Sequence, residues 1–176
     1  MITDDEIIAR CKDNDRAAQK MLFEKYADKM LGLCIRYCDS REDAKDLLQD
    51  GFYKVLIKIK NFKGNSSIST WMTRIFINLA INRKRSGRNK YHHQEFESKH
   101  ESYLTTEVEL EHKPEANVVM NALQQLPEKY RIVINMYAID NMSHKEIAEQ
   151  LGLTVGSSKS RLSRARVLLK AQLEKI

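Results

Sequence analysis

The segment from Ser143 to Arg166 constrains the fold more than any other part of the chain, because it carries the start and end signals of two closely spaced helices. Ser143 and Glu146 have the spacing of a capping box, which begins a helix. Gly152 can adopt the positive φ angle that ends a helix, and Thr154 can cap the one that follows. The second helix is predicted to bury one apolar face, formed by Val155, Leu162, Ala165 and Leu169.

The second of these helices is basic and contains no acidic residue between positions 159 and 170. Two helices joined by a tight turn, the second of them basic, form a helix-turn-helix whose second helix lies in the major groove of DNA. Arginine and lysine pair with guanine, and serine and threonine contact bases or phosphates. The alternative is an amphipathic helix with a solvated basic face. We expect DNA contacts from Thr154, Gly156, Ser157, Lys159, Ser160, Arg161 and Arg164.

Length and charge limit the classes of function that the chain can have. It has 176 residues, of which 42% are hydrophobic, and this suits one or two compact domains. Its formal net charge of +6 favours an anionic partner. No stretch approaches the ~20 apolar residues of a membrane-spanning helix, and the N-terminal residues are acidic, unlike a signal peptide. We expect a cytoplasmic protein without membrane insertion.

The three cysteines, Cys11, Cys34 and Cys38, have no CxxC spacing, which fits a reducing compartment. Cys34 and Cys38 lie one helical turn apart, so a metal shared with another ligand is an alternative. We interpret all three as small buried hydrophobic residues instead.

Helical periodicity runs through almost the whole sequence, which has only two prolines and six glycines. We therefore predict an all-α protein of two small helical domains. The domains are expected at residues 1–88 and 115–176, joined by a polar, flexible linker over residues 89–114. We expect no metal and no cofactor, and we interpret the histidines in or beside the linker as solvated: His92, His93, His100 and His112.

The first domain is predicted to contain helices over Asp4–Arg10 and Arg16–Cys38 and a third that begins at Ser40 with a capping box. The outer side of the third helix carries Glu42, Asp43, Asp46, Gln49 and Asp50. Acidic residues near a helix start complement the helix dipole. A cluster that extends over two turns also suits docking on a basic protein surface, and the residues alone leave both explanations open.

Residues 61–69 break the helical pattern and predict a loop that carries an exposed aromatic residue, Phe62, and a basic residue, Lys63. A helix over Thr70–Arg85 follows. It has an apolar face that includes Trp71, and it has a polar stripe of Arg74, Asn78, Asn82 and Arg85. Asparagine lowers helix stability, so a row of asparagines indicates a functional role. Their amide groups can hydrogen-bond to base edges, and the preceding loop can enclose an unpaired base. The basic residues at the end of this helix, which include Arg83, suit contacts with DNA phosphates, although a solvated helix end has the same composition.

The second domain is predicted to begin with a helix that stops before Pro127, which then lies in the first turn of the next helix. We expect Asn141 to end that helix, because asparagine tolerates the left-handed conformation. The buried stripe of this second helix is predicted to contain Ile132, Val133, Met136 and Tyr137.

Three motifs together closely resemble the extracytoplasmic-function group of bacterial RNA polymerase sigma factors. They are REDAKDLLQDGFYKV at residues 41–55, STWMTRIFINLAINRKR at residues 69–85, and the terminal helix-turn-helix. The resemblance implies sigma region two in the first domain and region four in the second, with region three missing. It implies a non-catalytic promoter-specificity subunit whose partners are core RNA polymerase, promoter DNA and an anti-sigma factor.

The resemblance also implies roles for particular residues. Glu42, Asp43, Asp46, Gln49 and Asp50 would bind the clamp helices of the largest polymerase subunit, and the second domain would rest on the flap of the other large subunit. The helix from Thr154 would read the −35 element. Opening the −10 element and capturing a flipped base would fall to Phe62, Lys63, Trp71, Arg74, Asn78, Asn82, Arg83 and Arg85.

Two positions depart from the family pattern. Ser158 stands where the family usually packs Val or Ile into the helix crossing, and this predicts a loosened or shifted recognition helix. Asn82 occupies a position that is often acidic. Both departures concern the promoter sequence rather than the class of protein.

Two other classes of protein carry a helix-turn-helix. A dimeric transcription regulator would act without polymerase and would bind palindromic sites tightly by itself. A DNA recombinase would need a nucleophilic residue within a basic constellation, and Ser66 and Ser67 have no such surroundings in the sequence.

Overall fold

The protein is helical throughout the part that the computed structural model describes, residues 2–89 and 114–174. These residues form eight α-helices and no strand, which confirms the all-α prediction. The chain divides into two compact units, with α1–α4 in the first and α5–α8 in the second. Most of the predicted linker, with its four histidines, lies outside the described residues. The helices are α1 (Asp4–Lys12), α2 (Arg16–Tyr37), α3 (Arg41–Lys58), α4 (Ile68–Asn89), α5 (Pro114–Gln124), α6 (Glu128–Ile134), α7 (His144–Leu151) and α8 (Val155–Leu173).

Side chains that cap the helices fix their starting points in the first unit. Thr3 and Glu6 form a capping box at α1, and Asp15 accepts from the backbone amides of Ala17 and Ala18 at α2. Ser40 accepts from the amide of Asp43, as expected for a cap at this position, and its hydroxyl donates to the carboxylate of Asp43. These bonds satisfy amide groups that have no partner inside a helix.

The α4 helix begins at Ile68, two residues before the predicted start at Thr70. The hydroxyl of Ser67 accepts from the amide of Thr70 at 3.1 Å, so Ser67 acts as the cap and draws Ile68 and Ser69 into the helix. The ends of α1 and α2 lie within two residues of the predicted ends, whereas α4 continues four residues past Arg85, to Asn89.

The core of the first unit lies where α2, α3 and α4 meet. Phe52 packs edge-on against Phe23 and Phe76, with ring centroids 4.7 Å and 5.6 Å away. Gly51 lies beside this cluster, and a Cβ atom there would lie 2.1 Å from the Phe76 ring. Glycine is therefore required for α3 and α4 to approach each other this closely.

The three cysteines are free, with Cys11 and Cys34 buried and Cys38 half-buried. Burial raises the pKa of all three thiols, that of Cys38 to about 11. They are therefore protonated at neutral pH. The interpretation as small buried hydrophobic residues is confirmed at Cys11 and Cys34, whereas Cys38 is only half-buried. Within the described ranges, no three potential metal ligands come together.

The second unit packs α6 and α7 against α8 around Val133, Met136, Ile147, Leu162 and Ala165. Pro127 is the cap of α6 rather than a residue of its first turn. Ile132 and Tyr137, which were predicted to be buried, are only half-buried. The buried positions also include Ile134 and Asn135.

A π-helical turn, Asn135–Ile139, continues α6 and was not predicted. The amide of Asp140 donates to the carbonyl of Asn135 at 3.0 Å, and Asn141 then adopts a φ angle of 53°. The left-handed conformation of Asn141 confirms the predicted end of the helix. The π-helical turn explains the changed register of the stripe, because each of its hydrogen bonds spans five residues instead of four.

Candidate nucleic-acid and protein interfaces

The start of α8 has the predicted helix-turn-helix geometry. Ser143 and Glu146 form the capping box of α7, and Gly152 ends that helix at a φ angle of 66°. Thr154 caps α8, because its Oγ1 atom accepts from the amide of Ser157 at 3.0 Å. The Thr154 hydroxyl also donates to the Ser157 hydroxyl at 2.9 Å. Both side chains are exposed but already hydrogen-bonded, so they orient the first turn of α8 as well as facing outward.

The remaining predicted DNA-reading residues lie along the outer side of α8. Gly156, Lys159, Ser160 and Arg164 are exposed, and Arg161 is partly exposed. Within the described residues, no carboxylate pairs with Lys159, Arg161 or Arg164, so these cations are available to an anionic ligand. The structure thus brings the seven residues onto one helix, as the sequence predicted.

A shallow groove runs between α6 and α8, and two residues of α6 line it. The Lys129 ammonium lies 5.0 Å from the centroid of the Tyr130 ring. The sequence analysis did not identify Lys129 or Tyr130, because only the packing of α6 on α8 places them there. The residues of α8 that line the groove are Ser160, Arg161, Ser163, Arg164 and Val167.

The crossing of α7 and α8 differs from the prediction. Val155 was expected on the buried face but has 43% of its surface exposed, whereas Ser158 is completely buried. Ser158 is three residues farther along, and its small side chain lets α8 approach α7 closely. Its Oγ atom is 2.9 Å from Nδ1 of His144. The predicted apolar face is therefore wrong at Val155, and a polar contact occupies the crossing.

His144 and Ser158 belong to a longer series of contacts. The His144 ring stacks on Tyr137, with ring centroids 4.6 Å apart and an angle of 25° between the planes. The Arg166 guanidinium lies 5.7 Å from the centroid of the Tyr137 ring. Burial first, and then the charges of Lys159 and Arg166, lower the pKa of His144, so its neutral form is favoured.

Phe62 was predicted to be an exposed aromatic residue, and that prediction is wrong. Only 8% of its surface is exposed, and its ring packs against Trp71 with centroids 5.2 Å apart. The backbone carbonyl of Phe62 also accepts from the Lys12 ammonium at 2.9 Å. The apolar ring gains more by covering Trp71 than by facing solvent, so Phe62 supports the loop from inside while Lys63 is exposed.

The polar stripe of α4 occupies one side of that helix. Asn78, Asn82 and Arg85 are exposed and Arg74 is partly exposed, at spacings of three and four residues that give a common face. Trp71, one turn before Arg74, is partly exposed as well.

Arg83 lies on a different side of α4 from this stripe. Its guanidinium pairs with the carboxylate of Asp50 and donates to the backbone carbonyl of Asp46 at 3.1 Å. The next residue, Lys84, pairs with Asp39 at 3.2 Å. Arg83 therefore contacts α3, which the sequence analysis placed in a separate group of site residues.

The acidic cluster of α3 faces solvent over two turns. Glu42, Asp43, Asp46, Gln49 and Asp50 are all exposed. Two large apolar side chains continue along the same helix, Tyr53 with 52% and Ile57 with 53% of their surfaces exposed. The sequence analysis did not identify this apolar pair. A surface that joins carboxylates to exposed apolar groups is suited to binding another protein.

None of the helices in the described part of the chain is both long enough and apolar enough to span a membrane.

Comparisons with known proteins agree with this geometry. Residues 22–90 match the family described as Sigma-70 region 2, and residues 116–169 match Sigma-70, region 4. The ECF RNA polymerase sigma factor SigW of Bacillus subtilis is 34% identical over 177 residues, which cover 94% of each chain. The ECF RNA polymerase sigma-E factor of Haemophilus influenzae is 29% identical over 98% of this chain and 96% of the relative.

Solved structures show the same fold at lower sequence identity. The structure of CnrH in complex with the cytosolic domain of CnrY has a TM-score of 0.57 and 23% identity, and the match covers 96% of each chain. The sigma factor RpoE in complex with the anti-sigma factor NepR, from Bartonella quintana, has a TM-score of 0.58 and 24% identity over 88% of this chain and 96% of that chain.

Proposed function

Because this chain belongs to the extracytoplasmic-function sigma factors, the promoter-specificity subunits of bacterial RNA polymerase, we propose that its three exposed helix faces divide the work of transcription initiation. The outer side of α8 reads the −35 element, the polar stripe of α4 reads the −10 element, and the acidic side of α3 binds polymerase. The observation that carries this assignment is that the three faces are exposed and differ in charge.

Base contacts by α8 come from Lys159, Ser160, Arg161 and Arg164. The cations can pair with guanine edges in the major groove, and the serine can donate to a base or a phosphate. Gly156 allows the backbone of the first turn to approach the DNA closely, while Thr154 and Ser157 hold that turn in place.

Contacts of α4 are made with the strand that separates at the −10 element. The amides of Asn78 and Asn82 can bond to base edges that are free of their partners, and Arg74 and Arg85 can bond to phosphates. Lys63 adds a cation in the loop, and Trp71 offers a partly exposed ring on which a base can stack. Unstacking a base costs a few kcal/mol, and this cost is lowest at flexible A·T-rich steps.

Polymerase docking uses the carboxylates of α3 for electrostatic complementarity and Tyr53 and Ile57 for apolar contact. This combination fits a partner helix that presents basic residues beside apolar ones, as the clamp helices of the largest subunit would. Exposed charges mainly raise the rate of encounter and fix the register, whereas buried apolar area supplies affinity. The second domain, in turn, rests on the flap of the other large subunit.

The domain arrangement adds to promoter affinity. We take residues 1–88 as the first domain, 89–114 as a linker and 115–176 as the second domain. Each domain makes a modest, salt-dependent contact with DNA by itself. Once one domain has bound, the linker and the polymerase raise the effective concentration of the other. In this arrangement the protein acts in the cytoplasm, contributes no catalytic residue, and is held inactive by an anti-sigma factor.

The test is multi-round transcription of sheared genomic DNA by purified core polymerase, with and without this protein. New discrete 5′ ends that share two motifs at a fixed spacing are expected. No new starts, together with tight binding of the isolated protein to a palindrome, would establish the dimeric regulator instead. Covalent trapping of cleaved DNA would point to a recombinase.

A further inference from the structure

We propose that His144 is a positioning residue for the recognition helix α8 and that it acts through Ser158 and Tyr137. This inference rests on the proposed reading of the −35 element by α8. The four residues in contact are Ser158, His144, Tyr137 and Arg166, which we call the α8 bracket.

The first end of the α8 bracket is a part-buried hydrogen bond between a buried serine and a half-buried histidine. Ser158 is completely buried at the crossing of α7 and α8, and its Oγ atom is 2.9 Å from Nδ1 of His144. A buried hydroxyl without a partner is unfavourable, so α8 is favoured in the position that brings Ser158 to His144. An apolar side chain at the same crossing would slide or rotate more easily, because its contacts are not directional.

The second end of the α8 bracket is a contact with an aromatic face. The Tyr137 ring stacks on His144 at 4.6 Å, and the Arg166 guanidinium lies 5.7 Å from its centroid. Arginine stacks well on aromatic rings because its guanidinium is planar. Tyr137 comes from the π-helical turn, so this end connects α8 to a part of the fold outside α7.

Both ends of the α8 bracket are on α8, separated by eight residues. Eight residues of α-helix span about 12 Å, or slightly more than two turns. Contacts at two points this far apart fix both the rotation and the tilt of the helix. Lys159, Ser160, Arg161 and Arg164 lie between these points, so the bracket holds the part of α8 that would enter the major groove.

The electrostatic surroundings keep the bracket in one state at neutral pH. Burial of the ring first, and then the charges of the cations Lys159 and Arg166 on α8, lower the pKa of His144. A neutral imidazole avoids repulsion with them. Nδ1 then either accepts from or donates to the Ser158 hydroxyl, according to the tautomer.

The experiment measures promoter binding by the reconstituted holoenzyme on two DNA fragments, one with the −35 element and one with that element scrambled. The −35 discrimination is the ratio of the two affinities. His144→Ala leaves the Ser158 hydroxyl buried without its partner, so we expect the discrimination to fall about tenfold. His144→Asn can place an amide near the position of Nδ1 and should recover most of the loss. Tyr137→Phe keeps the ring and should match the wild type, whereas Tyr137→Leu should not.

A double variant separates positioning from a general loss of stability. His144→Ala with Ser158→Val removes both polar groups, so no buried hydroxyl is left without a partner and the folding stability should return toward the wild-type value. The discrimination should stay low, because the apolar crossing has no directional contact. Unchanged discrimination in His144→Ala would overturn the proposal. So would an equal loss in His144→Asn and His144→Ala. If the wild-type holoenzyme does not distinguish the two fragments, the proposed reading of the −35 element fails instead.

Discussion

The guanidinium of Arg83 in α4 pairs with the carboxylate of Asp50 in α3 and also donates to the carbonyl of Asp46. The sequence placed Arg83 on the DNA-binding side and both aspartates on the polymerase-binding side. The contact joins the two proposed surfaces, because the helix that would read the −10 element is bonded to the helix that would bind polymerase.

Arg83→Ala is therefore expected to weaken polymerase binding and to leave promoter contacts nearly unchanged once the holoenzyme has formed. Without the guanidinium, the Asp50 carboxylate is no longer held in one position. The pair is substantially exposed, so the effect on folding stability should be below about 1 kcal/mol. Affinity for core polymerase and open-complex formation by preassembled holoenzyme are measured separately. Arg85→Ala, on the polar stripe, should leave the affinity for core polymerase nearly unchanged and weaken open-complex formation. If both variants changed the two measurements in the same way, Arg83 and Arg85 would not serve different surfaces.

Asp46→Arg should abolish polymerase binding without unfolding the first unit. Asp46 is exposed, so the new side chain can be accommodated, but its charge would repel a basic partner surface. Affinity for core polymerase is measured by titration, and the thermal unfolding curve checks the fold. Asp28→Arg makes the same change of charge at an exposed position of α2 and serves as the control. Normal affinity in Asp46→Arg would show that the acidic side of α3 is only solvated.

Arg161→Ala should relax the sequence preference at one position of the −35 element. A bidentate contact with a base contributes roughly 1–3 kcal/mol of discrimination. The measurement is holoenzyme binding to a set of promoters with every substitution in the −35 element. Lys170→Ala changes an exposed cation that is paired with Glu174 near the end of α8, so it should leave the preference unaltered. If Arg161→Ala retains the wild-type preference as well, Arg161 does not read a base.

Two glycine substitutions should have opposite effects on stability. A Cβ atom at Gly51 would lie 2.1 Å from the Phe76 ring, so Gly51→Ala should destabilise the first unit by about 1–3 kcal/mol. Nothing lies within 4 Å of a Cβ atom at Gly32, in the interior of α2, so Gly32→Ala should stabilise it by roughly 0.5–1 kcal/mol. Urea unfolding followed by Trp71 fluorescence reports both values. Equal changes in the two variants would contradict the packing of Gly51 against Phe76.

The second unit should lose stability as the pH falls below about 6.5, the ordinary pKa of histidine. Burial and nearby cations lower the pKa of His144 in the folded state, so the unfolded chain binds a proton more readily. The stabilisation is present above pH 6.5 and is lost as the pH falls toward the lowered pKa. Amide hydrogen exchange of α7 and α8 in the full chain measures the effect between about pH 7.5 and pH 5. His144→Asn should flatten the dependence, and an unchanged profile in that variant would assign the titration to another group.

Features set by neighbours along the chain could be predicted from the sequence. The Ser143 and Glu146 capping box, the left-handed Gly152 and Asn141, and the Thr154 cap all depend on residues within one helical turn. Each depends only on the local backbone conformation and a local hydrogen bond, so residue type and spacing were sufficient to predict it.

Features set by distant contacts could not be predicted in this way. Phe62 is buried because Trp71 offers it a partner, and Val155 is exposed because α8 turns Ser158 toward His144 instead. Arg83 and Asp50 are 33 residues apart, and no local pattern records their pairing. Helical periodicity locates an apolar face only to within about one residue, and packing between helices decides the rest.

Because of the π-helical turn at Asn135–Ile139, the number of residues in this segment determines which way Tyr137 points. A deletion of one residue here would leave an intact helix, because regular α-helical hydrogen bonds could re-form. It would nevertheless turn the preceding residues by about 100° relative to those that follow. Tyr137 would then point away from His144 and Arg166 without any change in its identity. Loss of a single codon would therefore impair promoter recognition even though every residue proposed to contact DNA was still present.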